Sequence, residues 1–520
     1  MTERPARAPG LAWQAVRPPP AISPLRTDIA AFVGATHRGP IGVPIRVEGW
    51  RGYQRELGGL DAALALPYAV RAYFDNGGEV AWIVRVAGPG AAAASAVWDA
   101  AGLGGLPASR LGIRAATAGG WSEGARVSLA YRGRTAAGRA MVDVRIRARD
   151  GELEELRAIR ADELIERVAE QSRMIRIEPL AAPGHAGPGA PAGASRAFAE
   201  ATLTLLGARE GAPAPAEYLA ALDLLDELPE VALIALPDLH TFAGGAAPGI
   251  YAEAAARAEA LRDRLVLVDL PPPAPGARWH ADRIATWIEH ELGRCTSDID
   301  GTTAMWRAAA LYHPRVRVRD PLGGDARPDR EISPVGHVAG TISLLDRNRG
   351  AHSTPANARL AGLIDLAEEY DDAEHAALNE AGVDLLRCVP SLGFSVWGGR
   401  TLDRTREDRF VAHRRLIHRL VRAIRRVAEP LVFEVNAPAL WFAFVRAITS
   451  VLLAAWRAGA LAGGRPDEAF QVVCDDTTNP PEEIDAGRCV CAISVAPAAP
   501  MEFILIRVAL SRDGALEVLS

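Results

Sequence analysis

The segment "CDDTTNPPEEID" (474–485) gathers Asp475, Asp476, Glu482, Glu483 and Asp485. Neighbouring carboxylates of this kind can bind a hard cation. The Asn-Pro-Pro break at its centre favours a solvated turn instead. Cys474 opens the segment, and Cys489 and Cys491 follow it. The latter two are two residues apart on an extended stretch, so they share a face and do not readily bond each other. Cys474 can lie on a neighbouring strand, but a zinc site needs a fourth ligand and better spacing. The cysteines therefore read as small buried hydrophobes. His337, His352 and His375 lack ligand spacing, and Ser353 beside His352 implies no triad. There is no Walker loop, Rossmann fingerprint or nucleophile elbow. The expectation is no catalytic residue, no metal site and no cofactor.

Two helical segments carry the remaining charge patterns. In "RTREDRFVAHRRLIHRLVRAIRRVA" (404–428), Phe410, Leu416, Ile417, Leu420, Ile424 and Val427 form an apolar stripe. Arg414, Arg415, Arg419, Arg422, Arg425 and Arg426 cover the rest. Such a helix can bind nucleic acid. With no aromatics on the basic face to stack bases, it reads better as a packed helix whose outer face meets solvent or an acidic partner. In 439–458, Trp441, Phe444, Val445, Ile448, Leu452, Ala455 and Trp456 form a broad apolar stripe. Arg446, Ser450, Leu453 and Arg457 share another face, the two arginines three turns apart. Sparse arginines on an apolar helix suit docking on an acidic protein surface, and ordinary solvent exposure explains them equally well.

The chain has 520 residues, room for about two to four domains. It is 49% hydrophobic and 23% charged with a formal net charge of −6, which argues against general nucleic-acid attraction. All 58 basic side chains are arginine, so every basic contact is made by a forked guanidinium. The start "MTERPARAPG" lacks the apolar core of a signal peptide. The window 437–456 is apolar enough to suggest a membrane span, but a central Arg446 costs about 2.5–3.5 kcal/mol there. It reads as a soluble helix. Five cysteines, an odd number, argue against a secreted disulfide framework.

"LAWQAVRPPPAISP" within residues 1–25 reads as an extended arm with little to bury against locally. From Thr27 the pattern becomes strand, strand, a helix over about 62–75, then the strand "EVAWIVRV". Short alternating strands occupy 121–212, broken by a polar helix at 161–171. After 215, helices and apolar strands alternate, as in a layered α/β protein. "PLVFEV", "FQVVCDD", "RCVCAISVAP" and "EFILIRVAL" read as late extended runs. The last is apolar on both faces, which demands neighbours. The expected fold class is α/β. A mixed-sheet core flanked by helices is built from both ends of the chain, with an inserted β-rich domain and extended terminal arms. The expected boundaries are 1–25 (arm), 26–98 (core), 99–212 (insertion), 213–500 (core) and 501–520 (C-terminal strand and arm).

Several stretches in order resemble the contractile tail sheath family of phages and extracellular contractile injection systems. They include "DIAAFVGATHRGPIGVPIRVEGWRGYQRELGG", "ALYHPRVRVRDPLGG", "SPVGHVAGTISLLDRNRGAHSTPAN", "LNEAGVDLLRCVPSLGFSVWGGRTLD" and the run from "VNAPALWFAFVRAITS" to "MEFILIRV". The segment after "GGRTLD" is more Arg-rich than the family's tyrosine-bearing helix. The resemblance implies a structural subunit rather than an enzyme: a homo-oligomer of stacked rings around an inner tube protein, with baseplate and terminal cap proteins as further partners. No nucleic acid and no membrane insertion are implied, and assembly is expected in the cytoplasm, then within a particle. Terminal arms would donate strands to neighbours, with Leu11, Trp13 and Val16 at one end and Leu516 and Val518 at the other. Arg446, Ser450 and Arg457 are candidates for tube contact. Phage tail and injection particle both remain open, and the different-class rival is a monomeric α/β enzyme with a β insertion.

Overall fold

The computed structural model describes residues 26–99, 110–180, 200–242, 246–274, 276–293, 303–325, 328–403, 409–431, 434–485 and 487–498, with the backbone of two strands at 507–510 and 516–519. The N-terminal part of the core begins with β1 (Ala30–Gly34), buried at every residue. β2 (Pro44–Glu48), α1 (Gly49–Leu57) and α2 (Leu66–Asp75) lead to β3 (Val80–Arg85). β1 and β3 run parallel, and β2 closes that edge antiparallel to β3. The helix expected over about 62–75 starts later, at Leu66, with Pro67 in its first turn where a missing N–H costs nothing.

A β-rich unit follows. β4 (Ser95–Asp99), β5 (Arg110–Ala115) and, further on, β9 (Ile175–Pro179) make a three-stranded sheet. β6 (Arg126–Arg134), β7 (Ala140–Arg147), β8 (Leu153–Arg160) and β10 (Glu200–Thr204) make a four-stranded one. α3 (Leu164–Gln171) packs beside them at the expected polar helix. Alternate residues of both sheets, among them Ile113, Ile177, Leu129 and Val144, bury into one apolar cluster of their own. β4 and β5 emerge beside a Gly/Ala-rich tract that gave no strand signal.

The chain then returns to the core. α4 (Pro215–Asp226), β11 (Leu233–Ala235), α5 (Ala246–Leu261), β12 (Leu265–Val268) and α6 (Ala281–Trp287) precede β13 (Ala309–His313). β14 (Val316–Arg319), β15 (Asp329–Ile332) and β16 (Leu363–Leu366) form a small side sheet around α7 (Val335–Arg349). α8 (Asp372–Glu380) leads to β17 (Val383–Val389) and β18 (Gly393–Val396). The eight-stranded sheet has the order β18-β17-β13-β12-β11-β1-β3-β2. Its interior strands are parallel and apolar on both faces because helices cover both sides. In β1, Ala31 and Val33 join one apolar layer while Ala30 and Phe32 join the other. On the second face α7 presses directly on α2. A Cβ on Gly336 would stand 2.2 Å from the Ala69 carbonyl oxygen, and one on Gly340 2.3 Å from that of Tyr73. Only glycine allows this approach.

Near the C-terminus, α9 (Val411–Ala428) and α10 (Pro438–Arg457) pack with the antiparallel pair β19 (Phe470–Val473) and β20 (Ala492–Val495). The expected extended run "PLVFEV" is corrected at its start: Glu429–Leu431 form a helical turn continuing α9. β21 (Arg507–Leu510) pairs antiparallel with β22 (Leu516–Leu519), Val508 opposite Val518. Among the described residues the neighbour of 507–510 is thus the strand beyond it, and no other sheet. In sequence, Asp513 and Gly514 stand between the two strands, a pair of types common in hairpin connections.

Charged groups seam the β-rich unit to the core. Arg85 is fully buried and donates to the carbonyls of Gly39 (2.6 Å) and Ala118 (2.8 Å) and to Glu210 (2.9 Å). Arg38 donates to Glu152 and to the carbonyls closing α1. His37 lies between Asp150 (3.2 Å) and Asp61 (3.1 Å), whose carboxylates raise its pKa to about 9. Its protonated form binds the folded state preferentially, so this stabilisation is complete below the unfolded value near 6.5 and is lost as pH rises through about 9. The melting-temperature advantage of the wild type over His37→Gln is expected to be full at pH 6 and gone above pH 9. An advantage unchanged across that range would contradict the assignment.

Candidate functional site

No cluster of residues expected to do catalysis is assembled among the described residues. The acidic stretch 474–485 is a turn over 475–479, as its composition suggests, followed by a short helix, Pro481–Asp485. Asp475 accepts from the Thr477 amide (2.9 Å) and hydroxyl (2.5 Å), which hold its carboxyl below the usual range, and Glu483 pairs with Arg488 at 2.6 Å. His337 is buried in α7, its pKa lowered to about 4 by loss of water, while His352 and His375 lie elsewhere. Sequence reading missed a polar cluster at the C-terminal ends of the parallel strands. There His313 meets Glu368 (2.9 Å) and Tyr370 (2.7 Å), and Tyr251 donates to Asp269 at 2.6 Å. A cavity of about 500 Å³ lies alongside, lined by Leu239, Phe242, Tyr251, Asp269 and Trp287. These groups come from strand ends far apart in sequence, which left no local signal.

The arginine-rich helix α9 is packed, as expected, but its basic side is only partly open: Arg414, Arg415 and Arg422 are buried, Arg419 and Arg426 half-buried, and Arg425 exposed. Leu416 and Leu420 bury toward α10, while Arg414, Arg415, His418 and Arg422 bury toward the core. Arg415 forks onto Asp346 of α7 with two bonds of 2.5 Å and donates to the Thr27 carbonyl at 3.0 Å. Arg422 donates to the carbonyls of Arg26 (2.9 Å) and Val231, and Arg414 to Glu259 of α5. Burial, reinforced by these guanidinium charges, keeps His418 well below its ordinary pKa and therefore neutral. Asp28 completes the knot with Arg26 (2.7 Å) and Arg347 (3.2 Å). Residues 26–28, directly after the expected N-terminal arm, are thus clamped by two helices. The arm residues Leu11, Trp13 and Val16 lie outside the described residues. Leu516 and Val518 sit on β22, paired with Leu510 and Val508.

α10 is long and apolar enough to cross a membrane by length and composition, yet only 22% of its most apolar window is buried. Leu440, Trp441, Ile448 and Leu452 pack inward, as the stripe pattern predicts, and Phe444, Ala455 and Trp456 lean on the same cluster. Arg446, Ser450 and Arg457 are all exposed on the outer side. Neither arginine has an ion-pair partner among the described residues. Phe442, 75% exposed, and Val435, 79% exposed, sit near the helix start.

Residues 298–402 match the phage tail sheath protein central domain, and 406–511 match the phage tail sheath C-terminal domain. The tail sheath protein of Vibrio phage KVP40 is 29% identical over 191 residues, 36% of this chain and 27% of that protein. The matched region thus spans about a quarter of that relative's length. The fold is shared with the helical sheath of the anti-feeding prophage in its contracted state (TM-score 0.56, 19% identity, 97% of this chain and 100% of that one). It is also shared with a sheath tail protein of Listeria innocua (TM-score 0.60, 12% identity, 91% and 95%). Over residues 298–402 and 406–511 the chain is thus similar to the central and C-terminal domains of phage tail sheath proteins.

The buried Arg415–Asp346 fork yields a test. Asp346→Ala, which strands a desolvated guanidinium, is expected to lower unfolding free energy by about 3–5 kcal/mol, whereas Arg415→Met with Asp346→Leu recovers most of that loss. Urea unfolding measures both. Equal losses in the single and double variants would show that the pair is not the source.

Proposed function

We propose that the chain is a structural sheath subunit that polymerises around an inner tube and contracts to drive the tube through a target envelope. The observation that carries this reading is the uninterrupted order of sheath central and C-terminal domains over 298–511. Fold likeness to a sheath in its contracted state, spanning 97% of the chain, supports it. Stacked copies of this chain, an inner tube protein, and baseplate and terminal cap proteins are the proposed partners, within an extracellular or cytoplasmic particle assembled in the cytoplasm.

Assembly in this reading works by β-augmentation, in which backbone hydrogen bonds give affinity and alternating side chains fix register. The β21–β22 pair supports it, since the two strands join no other sheet among the described residues and each keeps an open edge. A two-stranded hairpin is marginal alone and gains most from an added strand. The clamp on residues 26–28 gives the N-terminal arm a fixed root through which tension can pass. Domains 1–25, 26–98, 99–212, 213–500 and 501–520 then serve as arm, core, outer insertion, core and C-terminal strand unit.

Contraction then needs no nucleotide: subunits rotate as rigid bodies on their arms and bury more mutual surface. An added ~400 Å² of apolar burial would release on the order of 10 kcal/mol per subunit, before ordering costs. The outer face of α10 is the proposed tube contact through Arg446, Ser450 and Arg457.

Electron microscopy of co-expressed sheath and tube tests the three parts. The intact chain is expected to form long tubes, and a chain ending at Val508 to stay folded without ordered tubes. Long tubes from the shortened chain would refute strand exchange at this end. Arg446→Glu with Arg457→Glu is expected to leave folding unchanged and abolish extended, tube-filled particles. Normal extended particles would remove these residues from the tube contact.

A further inference from the structure

We propose that Cys474, Cys489 and Cys491 form a binding site for one thiophilic closed-shell cation, Cu(I) or Zn(II), held by three thiolates, with water as the fourth ligand of Zn(II). The local fold brings them together. Val473 pairs with Ala492 across β19 and β20, so the next positions outward, Cys474 and Cys491, continue the same antiparallel register. Cys489 is two residues from Cys491 and returns to the same side of the extended chain. The three sulfurs lie within 4.8 Å of one another, with Cys474 Sγ and Cys489 Sγ 3.9 Å apart. Metal–sulfur bonds of about 2.3 Å place three sulfurs around one ion roughly 4.0 Å apart. The observed triangle therefore needs only a small contraction. A disulfide would use two of these thiols and leave the third without a role.

The surroundings are also those of a ligand set. Asn479 is 2% exposed. Its Oδ1 accepts from the Val490 amide at 2.6 Å, and its Nδ2 donates to the carbonyls of Val490 (3.0 Å) and Asp475 (3.1 Å). Nδ2 also lies 3.7 Å from Cys474 Sγ. One amide thus pins the returning strand beside Cys474 and offers a donor to the sulfur that would carry negative charge, as outer-shell partners do at metal centres. All three cysteines are half-buried on one edge of the C-terminal apolar cluster, which Cys491 joins. Burial pushes the Cys489 thiol up to about 11 and that of Cys491 higher still. Binding exchanges three S–H protons for three metal–sulfur bonds, so affinity rises with pH. A bound ion would close the acidic loop 475–488 and stiffen the unit from which β21 and β22 emerge.

The test uses the full chain, purified under reducing conditions from cells supplied with zinc or with copper and measured by elemental analysis. One equivalent of zinc or of copper per chain is expected, the better-retained ion identifying the natural one. Cobalt(II) added to the metal-free chain is expected to give sulfur-to-cobalt charge-transfer absorption. Each of Cys474→Ser, Cys489→Ser and Cys491→Ser should weaken binding by at least the roughly 10–100-fold that outer-shell changes produce, with Cys388→Ser as an unaffected control. Circular dichroism identifies any variant that has lost its fold. For those, alkylation of the wild type gives an independent reading: exposed Cys388 should react at once, and the three clustered thiols only after chelation. The proposal is overturned by neither ion exceeding a small fraction of an equivalent, by a Cys474–Cys489 disulfide in the freshly isolated chain, or by full metal content in a folded Cys→Ser variant.

Discussion

The structure depends on the burial of arginine charge between α9 and the core. Arg414, Arg415 and Arg422 lie almost out of water, each held by a carboxylate or by main-chain carbonyls. A buried pair contributes little net stability over an apolar one, but removing one partner is expensive, so such pairs fix geometry more than they add energy. Here they fix the seating of α9 on the sheet and the point where residues 26–28 leave it. A lysine could not do the same, because its ammonium does not fork onto Asp346 while also reaching the Thr27 carbonyl. The chain's exclusive use of arginine thus acquires a structural consequence in this helix.

The seating of α9 makes the C-terminal unit and the core one body. The apolar side of α9 is shared with α10 and the β19–β20 pair, and its charged side belongs to the sheet. The β-rich insertion is different in kind. It has its own apolar cluster and meets the core through a seam of charged and polar bonds around Arg85, Arg38 and His37. If the chain acts as the proposed sheath subunit, a rigid core with residues 26–28 held in a buried ionic knot is the useful arrangement. Outer surfaces such as the insertion and the exposed side of α10 can then vary in chemistry without disturbing it.

Much of the scaffold was legible along the chain. Apolar runs such as 30–34, 80–85 and 265–268 announce strands covered on both faces, and the stripe of α10 correctly separates Trp441, Ile448 and Leu452 from Arg446 and Arg457. Local signals failed where tertiary partners decided the outcome. β4 and β5 border glycine- and alanine-rich sequence and exist because β9 and the insertion's apolar layer accept them. The segment beginning "PLVFEV" has strand-forming residues, yet its start continues α9. The run at 507–510 pairs one edge with the strand at 516–519.

The sequence by itself determined the class of the fold and the family resemblance, because periodicity and motif order are properties of neighbouring residues. Only the tertiary structure decided which way the arginines of α9 face, that three cysteines converge, and that His37 sits between two carboxylates from different parts of the chain. Periodicity reports that a helix has two faces but not what covers each. A buried charge is tolerable only where its partner has been brought from elsewhere, and that partner is invisible until the chain is folded.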